Sequence, residues 1–287
     1  MHNDRFAFTR WIALAAIVLS SASASAESTA NATPSVRLYA LDCGRIEFKD
    51  MRMFSETAEY DNVPGSMVDP CFLIRHARGT LIWDAGLGDE IAKHREGVDN
   101  NGIRMFVDVP LQAQLSTLGL KPQDIQYLAF SHFHFDHTGN AGLFTKATWI
   151  LNKVELDAMT QPEPPFGVDP SRLAAYKTAR QQIVTGDYDV FGDGSVRILR
   201  AYGHTPGHQV LLVHLPRAGN VILGGDLYHT RDNRTHRRVP NVNTDRADTL
   251  ASIDRIEHLA DTLHARVIIQ HSPEDFRSLP KFPAYLE

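Results

Sequence analysis

Cysteine is nearly missing from this 287-residue sequence: only Cys43 and Cys71 occur, and neither belongs to a CxxC pair. A framework of several disulfides is therefore excluded. What remains is one bond between these two in an oxidising compartment, or two buried thiols on neighbouring strands. Strand geometry decides between them. Long basic runs are lacking as well, and the net charge is −5, which argues against nucleic acid as a partner. The apolar run at residues 11–19 falls short of the ~20 residues that a membrane-spanning helix needs. Short-period repeats and low-complexity tracts are also absent.

Arg5 and Arg10 precede that short apolar run, and Ala24-Ser25-Ala26 has the form of a signal-peptidase site. Residues 1–26 read as a secretory signal peptide cut after Ala26, with residues 27–287 as the mature domain. The mature protein is then expected to be periplasmic or secreted, with no stable membrane anchor.

Along the mature chain, residues 36–41 alternate as a strand, and residues 71–75 and 80–83 form a hairpin across a short turn. Residues 45–70 show no clear period, yet carry Met51, Met53 and Phe54. Such an excursion reads as a binding loop, as an arm for a homodimer, or as a loop folded over the core. Helical spacing covers residues 111–118, 153–159 and a segment from the N-cap Ser171 to about Ile183. Leu250, Ile253, Ile256, Leu259 and Leu263 outline one more amphipathic helix. Short apolar strands are expected at residues 127–130, 148–151, 196–199, 210–213, 221–223 and 267–269. Strands followed by helices in each half predict an α/β sandwich without a second domain.

The informative stretch is Ser131-His132-Phe133-His134-Phe135-Asp136-His137-Thr138-Gly139. Imidazole and carboxylate are the donors that borderline divalent metals take. His132 and His134, two apart in an extended segment, share a direction. Asp136 and His137 follow at a turn that Gly139 permits, so one loop offers two ligand pairs, enough for two ions. Further candidates close apolar strands: His204 in Gly203-His204-Thr205-Pro206-Gly207-His208, Asp226 after Val221-Ile222-Leu223, and His271 after Val267-Ile268-Ile269. A charge or imidazole at the end of a buried strand is costly unless something satisfies it. Asp84, ahead of Gly86 and Gly88, is a candidate support for a ligand, or a turn former. His208 reads as a support rather than a ligand.

This series of motifs resembles the metallo-β-lactamase superfamily, and within it the N-acyl-homoserine lactone lactonases. The likeness extends to the opening Leu38-Tyr39-Ala40-Leu41-Asp42-Cys43-Gly44 and the ending Ile268-Ile269-Gln270-His271-Ser272-Pro273. It implies a four-layer αβ/βα sandwich with the site between two sheets. By that likeness His132, His134 and His204 bind one divalent metal, Asp136, His137 and His271 bind a second, and Asp226 bridges them. Zinc is the expected metal, with cobalt, manganese or iron as other fits for the same donors.

The implied reaction is opening of a lactone ring by attack of metal-activated water on the ester carbonyl, with Asp136 passing a proton to the leaving oxygen. Those lactonases often carry a tyrosine three residues after the bridging aspartate; here that place is His229, with Tyr228 one step earlier. Both are therefore candidate donors to the substrate carbonyl. Met51, Met53, Phe54, Met105, Phe106 and Phe166 are candidates for an apolar wall. Arg231, Arg234, Arg237 and Arg238 read as a solvated loop or a basic rim. Other lactones, esters or phosphotriesters remain alternative substrates, and a one-iron sulfur dioxygenase is the alternative of a different reaction class.

Overall fold

The computed structural model describes Met1 and residues 35–287. The expected signal peptide, Met1 apart, and its cleavage site lie outside the described residues. β1 (Arg37–Phe48), β2 (Gly65–His76) and β3 (Gly79–Trp83) form an antiparallel meander at the heart of the first sheet. β4 (Val98–Asn100) and β5 (Ile103–Phe106) extend it beyond β1. After helix α1 (Leu111–Thr117), β6 (Tyr127–Ala129) pairs parallel with β3. The short helix α2 (Phe135–Thr138) leads to β7 (Thr148–Asn152), helix α3 (Lys153–Met159) and the edge strand β8 (Arg180–Val184).

The second sheet is antiparallel through β9 (Tyr188–Asp189), β10 (Val196–Arg200), β11 (Gln209–Leu215) and β12 (Gly219–Leu223). Helices α4 (Arg231–His236) and α5 (Arg246–Leu263) follow, β13 (Arg266–Ile268) adds parallel to β12, and α6 (Pro273–Arg277) comes near the end.

Side-chain alternation assigns each central strand two buried faces. Leu38, Phe72, Ile74 and Trp83 of the first sheet meet Ile198, Leu211, Val213 and Leu223 of the second. On the outer face of the first sheet, Leu41, Leu73, Ile82 and Trp149 pack under Leu111 and Leu115 of α1. On the outer face of the second, Val210, Leu212 and Ile222 pack under Ile253 and Ile256 of α5. The result is the expected four-layer sandwich. Burial on both faces is why the strands read as unbroken apolar runs.

Several expectations change. Residues 45–70 are strand at both ends: β1 bulges between Asp42 and Arg45 and runs on to Phe48, β2 begins at Gly65, and residues 49–64 leave the sheet. Ile46 and Phe48 point inward and bury Met51 and Phe54 in a satellite cluster. The helix expected after Ser171 is instead a 3-10 turn, Ala174–Lys177, followed by β8. Pairing with β7 overrides a helical period there. The two cysteines are joined, with Cα atoms 5.6 Å apart on the paired strands β1 and β2. Among the described residues, no helix is long and apolar enough to cross a membrane.

Candidate metal centre

β3 and β6 are parallel, as are β12 and β13, while β10 runs with β12 across the antiparallel β11. Each sheet therefore delivers its strand ends to one rim: Asp84 and the His132 loop from one, His204, Asp226 and His271 from the other. Gly139 lets the histidine loop close, though not through unusual torsions, since its φ is −54°. Its role is close approach. A Cβ there would lie 2.2 Å from the carbonyl carbon and oxygen of Leu87, and its N–H donates to Gly86 O at 2.7 Å.

The seven expected ligands converge in two groups, His132, His134, His204 and Asp226 in one and Asp136, His137 and His271 in the other. Within each group the ligand atoms all lie within 4.8 Å of one another. Asp226 spans both. Its Oδ2 is 3.4 Å from His204 Nε2 and 3.7 Å from His132 Nε2, while its Oδ1 is 2.9 Å from His271 Nε2 and 3.2 Å from His137 Nε2. Despite these distances, His132 Nε2, His137 Nε2 and Asp226 Oδ1 make no hydrogen bond of acceptable angle. Buried polar atoms close together but not aimed at each other fit cations placed between them. The residues present suit a pair of divalent metals.

Electrostatics agree. Burial, with neighbouring histidines, holds His132 and His204 well below the usual imidazole pKa, and burial brings His134 down to about 4. These rings are held neutral, the state in which an imidazole nitrogen can bind a metal. Burial also opposes charge on His271, but Asp226 outweighs it and raises the pKa to about 9. That carboxylate demands positive charge beside it.

Outer contacts orient the rings. Asp84 is fully buried and accepts from Ser131 N at 2.6 Å, from His137 Nδ1 at 3.0 Å and from Gln270 Nε2 at 2.8 Å. His271 Nδ1 donates to Val68 O at 2.8 Å. Both rings thereby turn Nε2 inward. His208 is no ligand: Nδ1 donates to Ala201 O at 2.9 Å and Nε2 accepts from Asp226 N at 2.9 Å. Gln270, Val68 and Glu155, which joins two ligand loops, escape sequence reasoning, because an amide, a backbone oxygen and a first-turn helix acid carry no distinctive pattern. Asp69 on β2 escaped it too. Both its carboxylate oxygens are buried without a hydrogen-bond partner, and burial, then Asp136, pushes its carboxyl well above the usual range.

The two candidate carbonyl donors separate. His229 Nε2 lies 3.1 Å from Asp226 Oδ2 and lines the cleft over the site. Tyr228 is corrected: it points into the α5 layer, and its hydroxyl donates to Glu257 Oε1 at 2.5 Å. The arginines form neither a free rim nor a loose loop. They lie on and just after α4, where Arg231 pairs with Asp275, Arg234 with Glu257 at 2.8 Å, Arg237 with Asp254 at 2.7 Å and Arg238 with Glu59 at 3.4 Å.

The cleft is narrow, about 80 Å³, and lined by Ile46, Phe48, Met53, Phe54, Met67, Phe135 and Phe166 around Asp136 and His229. Of the expected wall, Met53, Phe54 and Phe166 are present. Met51 is sealed in the satellite cluster, Met105 packs on that cluster away from the cleft, and Phe106 lies under the guanidinium of Arg45.

The sequence pattern of the Metallo-beta-lactamase superfamily matches residues 68–271. N-acyl homoserine lactonase AttM of Azorhizobium caulinodans is 32% identical over 264 residues, covering 88% of this chain and 99% of the relative. N-acyl homoserine lactonase AiiA of Bacillus thuringiensis subsp. kurstaki is 28% identical over 75% of this chain and 86% of its own. Among solved structures, an N-acyl homoserine lactone hydrolase with N-hexanoyl-L-homoserine bound at its catalytic metal center superposes with a TM-score of 0.77. It is 26% identical, covering 88% of this chain and 100% of that one.

Proposed function

This chain belongs to the metallo-beta-lactamase superfamily, and from that premise we propose that it hydrolyses the lactone ring of N-acyl homoserine lactones, a quorum-quenching reaction. The observation that carries the reading is Asp226, one carboxylate turned to two ligand groups at the floor of a narrow apolar cleft. Zinc is the metal we assign, on the nitrogen and oxygen donor set. Two such ions would lower the pKa of a shared water toward 7 and polarise the ester carbonyl, chemistry worth several kcal/mol at the transition state.

The protein's own groups do the rest. The apolar wall of Phe48, Phe54, Met67 and Phe166 receives the acyl chain and keeps bulk water from the carbonyl. His229, at the inner end of that wall, donates an N–H to the carbonyl oxygen as negative charge grows there. Asp136 sits at the mouth of the second group, where it takes up the proton released by the attacking water and hands it to the ring oxygen as the carbon–oxygen bond breaks. The product is an acyl homoserine carboxylate. Residues 1–26 act in this reading as a signal peptide that delivers residues 27–287 to the periplasm or the medium, which the Cys43–Cys71 disulfide supports.

The test is ring opening of short- and long-chain acyl homoserine lactones by purified protein, followed as proton release in weak buffer, with metals counted on the same sample. Turnover that vanishes in Asp226→Ala and His134→Ala supports the lactonase. Two metals without turnover would move the substrate to other esters, lactones or phosphotriesters.

A further inference from the structure

Helix α3 starts from Asn152 and carries Glu155 three residues on, the spacing of a capping box, in which the glutamate turns back to the first amide of its own helix. Glu155 does otherwise. It is only 3% exposed, and its two oxygens accept from two separate loops: Oε1 from Phe133 N at 3.0 Å and Oε2 from Gly207 N at 2.8 Å. Phe133 stands between His132 and His134, and Gly207 follows His204. The second loop presses directly on the helix start, since a Cβ on Gly207 would lie 2.5 Å from Glu155 N and 2.7 Å from Asn152 Oδ1. Asn152 Nδ2 donates to Gln209 Oε1 at 3.2 Å, and Gln209 N donates to Ser131 O at 2.8 Å. The first turn of α3 is thus a bracket between the two loops that supply the first ligand group. The second group has other supports, Asp84, Gln270 and Val68 O, and none of the hydrogen bonds of Glu155 reaches it.

We propose that Glu155 is a positioning residue that sets His132 and His134 against His204, and so governs one metal position while leaving the other to its own supports. The proposal rests on the two-metal reading of the site. A buried carboxylate flanked by two N–H groups cannot be matched by an amide of the same shape. In Glu155→Gln one acceptor becomes an NH2 facing a backbone N–H, which leaves donors unpaired. As a helix residue, glutamine differs little from glutamate, so a role confined to α3 predicts near-normal behaviour.

The experiment titrates metal-stripped wild type, Glu155→Gln and His204→Ala with Co2+, reading visible absorbance for the binding steps and elemental analysis for stoichiometry. His204→Ala identifies the step that belongs to the first group. Glu155→Gln is expected to weaken that same step about 10–100-fold and leave the other unchanged. Two unchanged steps, or two equally weakened ones, would overturn the proposal. No uptake by the wild type would sink the metal centre itself. Should the variant fail to fold, amide exchange on metal-stripped wild type decides: the Phe133 and Gly207 amides are expected to be protected, and exchange as fast as in exposed loops overturns the bracket.

Discussion

His229 and Tyr228 are chain neighbours that face opposite ways: His229 Nε2 lies 3.1 Å from Asp226 Oδ2, whereas the Tyr228 hydroxyl donates to Glu257 at 2.5 Å. The pair therefore separates chemistry from stability. His229→Ala is expected to lower kcat for lactone opening about 10²–10³-fold at full metal occupancy, the loss typical of one oxyanion donor. Tyr228→Phe is expected to leave kcat unchanged and to cost about 1.5–3 kcal/mol of stability, a hydrogen bond to a charged acceptor. Steady-state kinetics and urea unfolding of both variants check this; a kinetic defect confined to Tyr228→Phe would reverse the assignment.

Asp84 offers a second separation. It accepts three hydrogen bonds at once, from Ser131, His137 and Gln270. Asp84→Asn places a donor among donors, so metal affinity at the Asp136, His137 and His271 group is expected to fall about 10–100-fold. Metal content after dialysis against graded chelator measures it. Retention equal to wild type would reduce Asp84 to a turn former.

Acid sensitivity should trace in part to His208. Burial pushes its pKa down to about 4 in the fold, against 6.5 for an ordinary histidine. The unfolded chain takes up a proton that the folded state refuses. The contribution is therefore fully present above pH 6.5 and is lost as pH falls toward 4, about 3 kcal/mol in all. In metal-loaded protein, urea midpoints between those limits should fall less steeply for His208→Gln than for wild type. Parallel slopes would assign the acid loss elsewhere.

The disulfide links β1 to β2 across a separation of 28 residues. Closing a loop of that size contributes about 3–4 kcal/mol in the chain-entropy account. The double variant Cys43→Ser, Cys71→Ser is expected to unfold at correspondingly lower urea and to keep its turnover below that transition, because neither cysteine lines the cleft. A lost kcat in the still-folded variant would tie the bond to the site.

Much of this protein was legible in the residue order alone. Both faces of each central strand are buried, so runs such as Cys71-Phe72-Leu73-Ile74 identify themselves, and an unpaired histidine or aspartate at the end of such a run costs too much to be incidental. That local logic pointed to an α/β sandwich and to the seven candidate ligands from His132 to His271, while the four layers and the division of the ligands between two metals came from the family resemblance. Tertiary structure alone decided the rest, for a different physical reason: it depends on which donors and acceptors meet across elements. β8 became a strand because β7 offered a free edge. Tyr228 left the site because Glu257 on α5 could accept its proton donor. The arginines on and just after α4 were absorbed by carboxylates on three other segments, α5, α6 and the loop at residues 49–64. Glu155 has the spacing of half a helix cap, but two loops, 22 and 52 residues away in sequence, bring their amides to its oxygens instead. Periodicity records how each segment meets the core, whereas a hydrogen-bond partner supplied from a distant loop leaves no trace in the segment that receives it.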